Sequence, residues 1–332
     1  MTLCRWQLRC LLFALLVVTL PRIAAAQPAL LVQADLADLA PAEVTGRDWS
    51  TVQRAELQRQ FCAERSSEQA RIALATQRLT RRQRDGCAAG KTGKLIEALI
   101  GRRALIAMTS GAGFGLTSDI LYRALARDLP GPGGKTVPNR AMRWRELNAG
   151  LPDAPIRVLL PPPASIESRI LAEIVMYEGC AKQSSASLPA DPLKRLVACT
   201  NLRTDAAVSR VTEKQTVSVW LQKQGGSAVA LIGVAALLAE PDLQNALSLD
   251  GVMPSFANIA DGSYRAMLPV YLLTVISTET ARTIAGVAGP LLAEAAIGPL
   301  GKLPRRGLAP LAADDRVKLR VKLGREFEDA AE

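Results

Sequence analysis

The sequence predicts an α/β fold on three grounds. Apolar runs of strand length alternate with segments whose apolar residues recur at helical spacing, serine or threonine precedes several helical segments, and proline and glycine cluster between them. This alternation is typical of sheets flanked by helices. The chain has 332 residues, which is enough for one large domain or two ordinary ones with sizeable cores.

The first predicted elements follow one another at short intervals. We predict a helix over 56–65 and strands over 70–75 and 104–108. Thr117 suits the N-cap of a helix over 118–127, because its hydroxyl precedes apolar residues that share one helical face. Proline and glycine then fill 129–134, so we expect this helix to end in a loop.

A strand, a tight loop and a capped helix are predicted in the middle of the chain. The strand covers 155–160, three prolines follow at 161–163, and Ser165 can cap the next helix. Unpaired backbone N–H groups and the helix dipole at such a point can hold an anion. An ordinary capped helix explains the same residues, so both interpretations stay open.

The remaining elements continue the alternation. We predict strands over 216–221, 228–234 and 269–276, a connection over 241–249, and a helical end from 278 that is interrupted at Pro290. Basic and apolar residues alternate over 316–325. That segment is either a solvated terminal helix or a contact for a membrane surface or an acidic partner.

The N-terminus has the features of a secretory signal peptide. Arg5 and Arg9 precede an apolar run over 11–20, and three alanines end the segment at 24–26. The run is about half the ~20 residues that cross a bilayer, which argues against an anchor. We therefore predict that residues 1–26 are removed, that Gln27 becomes the N-terminus and that the protein is periplasmic, without stable membrane insertion.

Four cysteines remain after the signal peptide: Cys62, Cys87, Cys180 and Cys199. An even number in an exported chain indicates two disulfides. Three connectivities are possible, and closeness in sequence favours Cys62 with Cys87 and Cys180 with Cys199.

Composition excludes several classes of function. The chain contains no histidine. Catalytic mechanisms that need an imidazole, such as those of Ser-His-Asp and Cys-His enzymes, are therefore excluded, and the commonest transition-metal ligand is absent. No CxxC pair or phosphate-cradling Walker sequence occurs. Removing 1–26 takes away three of 41 basic residues and none of 31 acidic ones, leaving a net charge of +7. We predict no enzyme activity, no metal, no cofactor and no nucleic-acid partner.

Several segments occur in the order found in one known family. Over most of 61–311 the chain resembles the exported phosphate-binding proteins of phosphate ABC transporters. The matching segments are Phe61-Cys62-Ala63, Asp85-Gly86-Cys87, Leu105-Ile106-Ala107, Phe114-Gly115-Leu116-Thr117, Val137-Pro138-Asn139, Leu151-Pro152-Asp153, Glu178-Gly179-Cys180, Gly251-Val252-Met253-Pro254-Ser255-Phe256, Pro269-Val270-Tyr271 and Gly307-Leu308-Ala309-Pro310-Leu311.

This resemblance implies a type II periplasmic binding protein fold with two lobes, each a mixed sheet flanked by helices. Lobe one would comprise 27–108 and 268–332, and lobe two 109–267. A ligand would lie in the cleft between helix N-termini, and an ABC transporter permease would be the partner. Each cysteine pair would lie within a single lobe.

The same resemblance points to a ligand site that differs from the family pattern. The family segment Thr-Ser-Gly-Thr-Arg-Asp, which grips phosphate, corresponds to 164–169, where Ser165 is kept, Glu167 brings a negative charge to the anion's place, and the arginine is lost or moved to Arg169. A second family segment corresponds to 71–78 and keeps a hydroxyl at Thr76 and a base at Arg78.

Five residues are therefore predicted to line the cleft: Thr76, Arg78, Ser165, Ser168 and Arg169. The predicted function is that of an extracytoplasmic solute-binding protein for phosphate or another small oxyanion, with an altered or weakened anion site. The alternative is a degenerate binding fold that serves as a periplasmic scaffold or regulatory protein without a transport ligand. The family's early Gly-Ser-Ser-Thr loop is not evident after Gln27.

Overall fold

A computed structural model describes residues 28–62, 70–88, 93–131, 135–183, 188–210, 216–239 and 245–332. The predicted signal peptide and its cleavage point lie outside these residues. So do the predicted end of the first helix at 63–65 and the first part of the predicted connection, at 241–244.

The described strands form one large mixed sheet and one small hairpin. They are β1 Ala29–Gln33, β2 Ser50–Val52, β3 Arg71–Ala75, β4 Lys94–Thr109, β5 Asp128–Pro130, β6 Thr136–Pro138, β7 Val158–Leu160, β8 Val208–Arg210, β9 Val229–Gly233, β10 Asn245–Ala246 and β11 Met267–Ile276. The large sheet has the order β2-β1-β3-β11-β4-β9-β7-β8, with β10 also paired to β4, and β5 pairs with β6.

The long strand β4 joins two halves of the large sheet. Its residues 94–104 pair antiparallel with β11, and its residues 105–108 pair antiparallel with β9. We call β2, β1, β3, β11 and the first part of β4 the first half-sheet. The end of β4 with β9, β7, β8 and β10 is the second half-sheet.

Helices cover both halves of the sheet. They are α1 Pro41–Thr45, α2 Arg54–Cys62, α3 Arg81–Ala88, α4 Ser118–Leu125, α5 Trp144–Leu147, α6 Ile166–Ile170, α7 Tyr177–Ala181, α8 Pro192–Thr200, α9 Val217–Gln224, α10 Val234–Ala239, α11 Phe256–Asp261, α12 Ala281–Leu292, α13 Glu294–Ile297, α14 Lys302–Arg305 and α15 Ala313–Asp329. A 3-10 turn covers Ala34–Leu39, and a π-helical segment, Leu171–Met176, joins α6 to α7.

Alternation along the strands gives the first half-sheet two buried faces. Ile72 and Leu74 of β3 point to the main core, whereas Ala73 and Ala75 point to a smaller core that contains Phe61 of α2. This is the pattern expected of strands that are covered on both sides. The smaller core holds the helices α2 and α3 against the sheet.

The two disulfides are those that the sequence predicts. Cys62 at the end of α2 bonds to Cys87 in α3, with their Cα atoms 4.8 Å apart. Cys180 in α7 bonds to Cys199 in α8, with their Cα atoms 5.5 Å apart. They span 25 and 19 residues of sequence, so each stabilises the fold by about 3 kcal/mol on the chain-entropy model.

Two predictions of local structure are wrong. The segment 216–221 is not a strand, because Thr216 caps the helix α9, accepting a bond from the Val219 N–H at 3.4 Å. Helical spacing buries Val217, Trp220 and Leu221 together in the core, which outweighs the β propensity of this segment. Pro290 does not interrupt the last region either, since α12 contains it and runs on to Leu292.

Within the described residues, no single helix is long and apolar enough to cross a bilayer. The segments Ala281–Leu292 and Glu294–Arg305 satisfy such a test of length and composition only when they are joined across a bend of 44°.

Candidate functional site

The helix α6 begins where the second half-sheet meets the first. β7 ends at Leu160, the three prolines turn the chain, and the Ser165 hydroxyl accepts a hydrogen bond from the Ser168 N–H at 3.2 Å. The Ser168 hydroxyl donates to the Pro161 carbonyl at 3.3 Å. Both hydroxyls therefore fix the turn and the helix cap, as expected for serine at these positions.

Glu167, in the first turn of α6, forms a buried ion pair with Arg103 of β4. The Arg103 guanidinium donates to the Glu167 carboxylate at 2.7 Å, to both Asp38 oxygens at 2.7 and 3.1 Å, and to the Arg306 carbonyl at 3.0 Å. Arg103 is 2% exposed and Glu167 7%. A buried cation is thus matched by two carboxylates and a carbonyl, as burial of charge requires.

Two glycines make room for this pair. A Cβ atom on Gly233, at the end of β9, would lie 2.4 Å from the Glu167 carboxylate. A Cβ atom on Gly307 would lie 3.0 Å from the centre of the Arg103 guanidinium, and Gly307 has a φ of +98°, which favours glycine. The backbone at the end of β9 and the backbone after α14 are therefore both in close contact with the ion pair.

Arg169, one helical turn from Ser165, reaches the first half-sheet at a second point. Its guanidinium donates to the Asp35 carboxylate and, at 2.6 Å, to the Thr76 hydroxyl. Gln33 at the end of β1 completes the group, since its amide donates to Asp35 at 2.6 Å and to Thr76 at 3.0 Å. The residues at the ends of β1 and β3 thus present a carboxylate and a hydroxyl to one arginine, and the Gln33 amide bonds to both of these groups.

A third ion pair lies at the more exposed rim. Arg54 at the start of α2 donates to Glu173 of the π-helical segment at 2.9 Å. Glu173 also lies 3.7 Å from the Arg169 Nε. We call Asp35, Asp38, Arg54, Arg103, Glu167, Arg169 and Glu173 the cleft ion-pair cluster. Three of its pairs, Asp35–Arg169, Arg103–Glu167 and Arg54–Glu173, join residues of the first half-sheet side to residues that follow β7 in the second.

The pKa values of the two buried arginines shift in opposite directions. Burial by itself would lower the pKa of Arg103, but the charges of Glu167 and Asp38 outweigh it and raise this pKa above its ordinary value. Burial lowers the pKa of Arg169, and the charges of Asp35 and Glu173 only partly oppose that effect. Arg103 is therefore the better neutralised of the two cations.

The predicted site residues do not all lie together. Thr76 and Arg169 are in direct contact, and Ser165 and Ser168 lie in the turn that positions Arg169. Arg78 makes no hydrogen bond or ion pair with these four residues in the described part of the chain. The chain bends at 76–77, and the Arg78 guanidinium lies over the Tyr271 ring, 5.2 Å from its centroid, beside a different cavity.

The cluster also contains Asp35, Asp38 and Arg103, which are not among the site residues predicted from the sequence. Arg103 precedes the apolar run at 104–108 inside a long buried strand, and a charge in such a strand needs a partner. Asp35 and Asp38 follow the apolar strand β1 closely in the chain. β1 belongs to the first half-sheet, and no element was predicted for its residues from the sequence. Within the described residues, no group of three His, Cys, Asp or Glu side chains is placed to hold a metal ion.

Comparisons with known proteins agree with this architecture. A family model described as "PBP superfamily domain" matches residues 25–289. No curated protein is similar to the chain in sequence.

Several solved structures share the fold at low sequence identity. A possible phosphate-binding protein from Planctomyces limnophilus DSM 3776 has a TM-score of 0.65 and 15% identity, covering 93% of this chain and 99% of that one. PstS from Borrelia burgdorferi has a TM-score of 0.56 and 12% identity, covering 86% and 100%. PfluDING, a high-affinity periplasmic phosphate-binding protein solved with phosphate, has a TM-score of 0.51 and 13% identity, covering 89% and 93%. The predicted two-lobed α/β fold is therefore confirmed.

Proposed function

Because the chain belongs to the PBP superfamily, we propose that it is a periplasmic solute-binding protein of the ABC transporter type whose anion position is occupied by its own Glu167. The proposal adds three statements to the fold: the mature protein begins at Gln27, the lobes divide near residues 108 and 268, and an ABC transporter permease is the partner. The predicted signal peptide and the two disulfides support the first of these.

The contact between Glu167 and Arg103 carries this proposal. The helix N-terminus after the triple proline is the place where the resemblance puts the anion, and a negative group does lie there. That group is a carboxylate of the chain itself, 2.7 Å from a guanidinium that is 2% exposed. Glu167 therefore supplies the negative charge that a bound oxyanion would otherwise bring.

The charges of the cleft ion-pair cluster argue in the same direction. The cluster holds four carboxylates, those of Asp35, Asp38, Glu167 and Glu173, and three guanidinium groups. Its formal charge is thus negative before any ligand enters. Phosphate would have to displace a carboxylate or join a site with an excess of negative charge, so we expect much weaker phosphate binding than in phosphate-binding relatives.

Calorimetric titration of the purified mature protein with phosphate tests the proposal. We expect no saturable binding below the millimolar range, because Glu167 competes for Arg103. Sulfate, arsenate and phosphonates should be titrated in the same way, because each of these anions would meet the same excess of negative charge in the cleft. Submicromolar phosphate binding would show that Glu167 moves aside at little cost and that the proposal is wrong.

A second function is favoured by the three ion pairs between the half-sheets. They hold the cleft closed without any solute, so the closed form can act as a scaffold or regulatory protein that binds another periplasmic protein. Small-angle X-ray scattering distinguishes the two functions. The scaffold is favoured if the ligand-free protein already has the radius of gyration of the closed form and no oxyanion changes it. Closure by one oxyanion favours solute binding.

A further inference from the structure

We propose that a second ligand site, separate from the cleft and independent of the function proposed above, binds a small anion with an apolar body. It is the cavity between β4 and α15, which has a volume of about 460 Å³. That volume lies within the range of roughly 300–1,000 Å³ usual for small-molecule sites. The cavity is lined by residues 96–99 of β4, by Arg78 and Arg102, and by one side of α15 that includes exposed and buried residues.

The lining combines an apolar floor with basic groups. Ile96, Leu319 and Leu323 belong to the main core or pack against it, and they form the apolar part. The positive charge comes from Arg78, Arg102, Lys318 and Lys322, the basic group of the cavity. Such a pairing of apolar surface with a few polar groups is typical of ligand sites.

Most of the negative charge at the cavity already has partners. Glu97 accepts from the Leu79 N–H at 2.6 Å and from Arg84 at 3.2 Å. Asp261 accepts from the Ser263 N–H at 2.8 Å. Asp315 forms an exposed ion pair with Lys318 at 3.9 Å, and solvent screening keeps such a pair weak.

The basic groups of the cavity differ in exposure: Arg78, Lys318 and Lys322 are exposed to solvent, and Arg102 is partly buried. In the part of the chain that the structure describes, Lys322 makes no ion pair or hydrogen bond, and the contact of Arg78 is with the Tyr271 ring. Arg102 donates to the Ala260 carbonyl at 2.8 Å, while its buried Nε has no acceptor. A buried donor without a partner is costly, and an anionic group in the cavity would reduce that cost.

The open edge of β4 lies beside the same cavity. Among the described strands, only β11 pairs with residues 94–101 of β4. On the opposite edge of β4, the first backbone pairing is the bridge between Arg102 and Ala309. Leu311, two residues after Ala309, is part of the cavity lining. Alternate residues of an edge strand present unpaired N–H and C=O groups, so backbone donors are also available to a ligand there.

Four residues of the segment 316–325, where basic and apolar residues alternate, line this cavity: Lys318, Leu319, Lys322 and Leu323. Arg316 is buried and donates to Glu294, which leaves Lys318 and Lys322 one turn apart on the helix side that borders the cavity. The same helix buries Leu323. Two lysines and two leucines of α15 thus border the same cavity.

Calorimetric titration with octanoate tests the proposal. The comparison ligands are 1-octanol, which has the apolar chain without the charge, and inorganic phosphate, which has the charge without the chain. We expect saturable octanoate binding to one site, at least tenfold tighter than 1-octanol or phosphate alone. The double variant Lys318→Glu/Lys322→Glu should weaken octanoate binding about tenfold, because two nearby charges are reversed. The matched control Lys194→Glu/Lys223→Glu changes two exposed lysines on α8 and α9 and should bind as the wild type does.

Leu319→Trp is a second, independent variant, because it fills the cavity without changing charge. It should abolish octanoate binding while circular dichroism shows an unchanged fold. Glu167→Gln should leave octanoate binding unaltered, which separates this site from the cleft. Equal binding of octanoate and 1-octanol, no binding of octanoate, or equal loss in the lysine control would overturn the proposal.

Discussion

Replacing Glu167 by glutamine tests whether this carboxylate excludes phosphate from the cleft. Glutamine keeps the shape of the side chain and can still accept a hydrogen bond from Arg103, but it removes the negative charge. Asp38 continues to neutralise Arg103 through two hydrogen bonds. The variant should therefore fold, with a loss of stability of about 1–2 kcal/mol for the weaker buried contact.

The expected gain in phosphate affinity follows from Coulomb's law. An oxyanion that contacts Arg103 beside Glu167 would lie about 4 Å from its carboxylate, and two unit charges at that distance repel by about 4 kcal/mol at an effective dielectric constant of 20. Removing one of these charges should tighten phosphate binding by up to about a thousandfold. The neighbouring Ile166 is better left unchanged, because it is 1% exposed and its truncation would open a cavity.

Isothermal titration calorimetry of wild type and Glu167→Gln measures this difference. The matched control is Glu178→Gln, because Glu178 is also ion-paired with an arginine, Arg265, at 3.3 Å, but lies outside the cleft ion-pair cluster. The control should bind phosphate as the wild type does. If Glu167→Gln gains less than about tenfold, or if the control gains equally, the reasoning from charge is wrong.

Further predictions concern the same cluster and the exported state. Gly233→Ala should push the Glu167 carboxylate away from Arg103 and lower the melting temperature. The control is Gly286→Ala, on an exposed side of α12 where no atom lies near the added carbon. This control should be neutral or should stabilise the fold by up to about 1 kcal/mol. Reduction of the disulfides should cost about 3 kcal/mol for each bond in denaturant unfolding, and free thiols in the non-reduced protein would contradict this. Intact mass of periplasmic protein should give Gln27 as the first residue; retention of Met1 would refute the signal peptide.

Features that depend on residues close together in the chain could be predicted from the sequence. Thr117 and Ser165 cap their helices as predicted, with the Thr117 hydroxyl accepting from the Ile120 N–H at 3.1 Å. The strands predicted near 70–75 and 269–276 are present as β3 and β11, and the cysteines pair with their nearest partners. Caps, apolar alternation and short disulfide loops are local in sequence, so a linear pattern is enough to reveal them.

Tertiary structure alone decided how the charges of the cleft are paired. Arg103 meets Glu167 across 64 residues of sequence, and Arg169 meets Asp35 across 134. Arg78, close to Thr76 in sequence, lies on a different side because the chain bends between them. The segment after Thr216 is likewise a helix because of what its side chains are buried against. Ion pairing depends on distances of a few ångströms between residues far apart in the chain, and only the folded chain sets those distances.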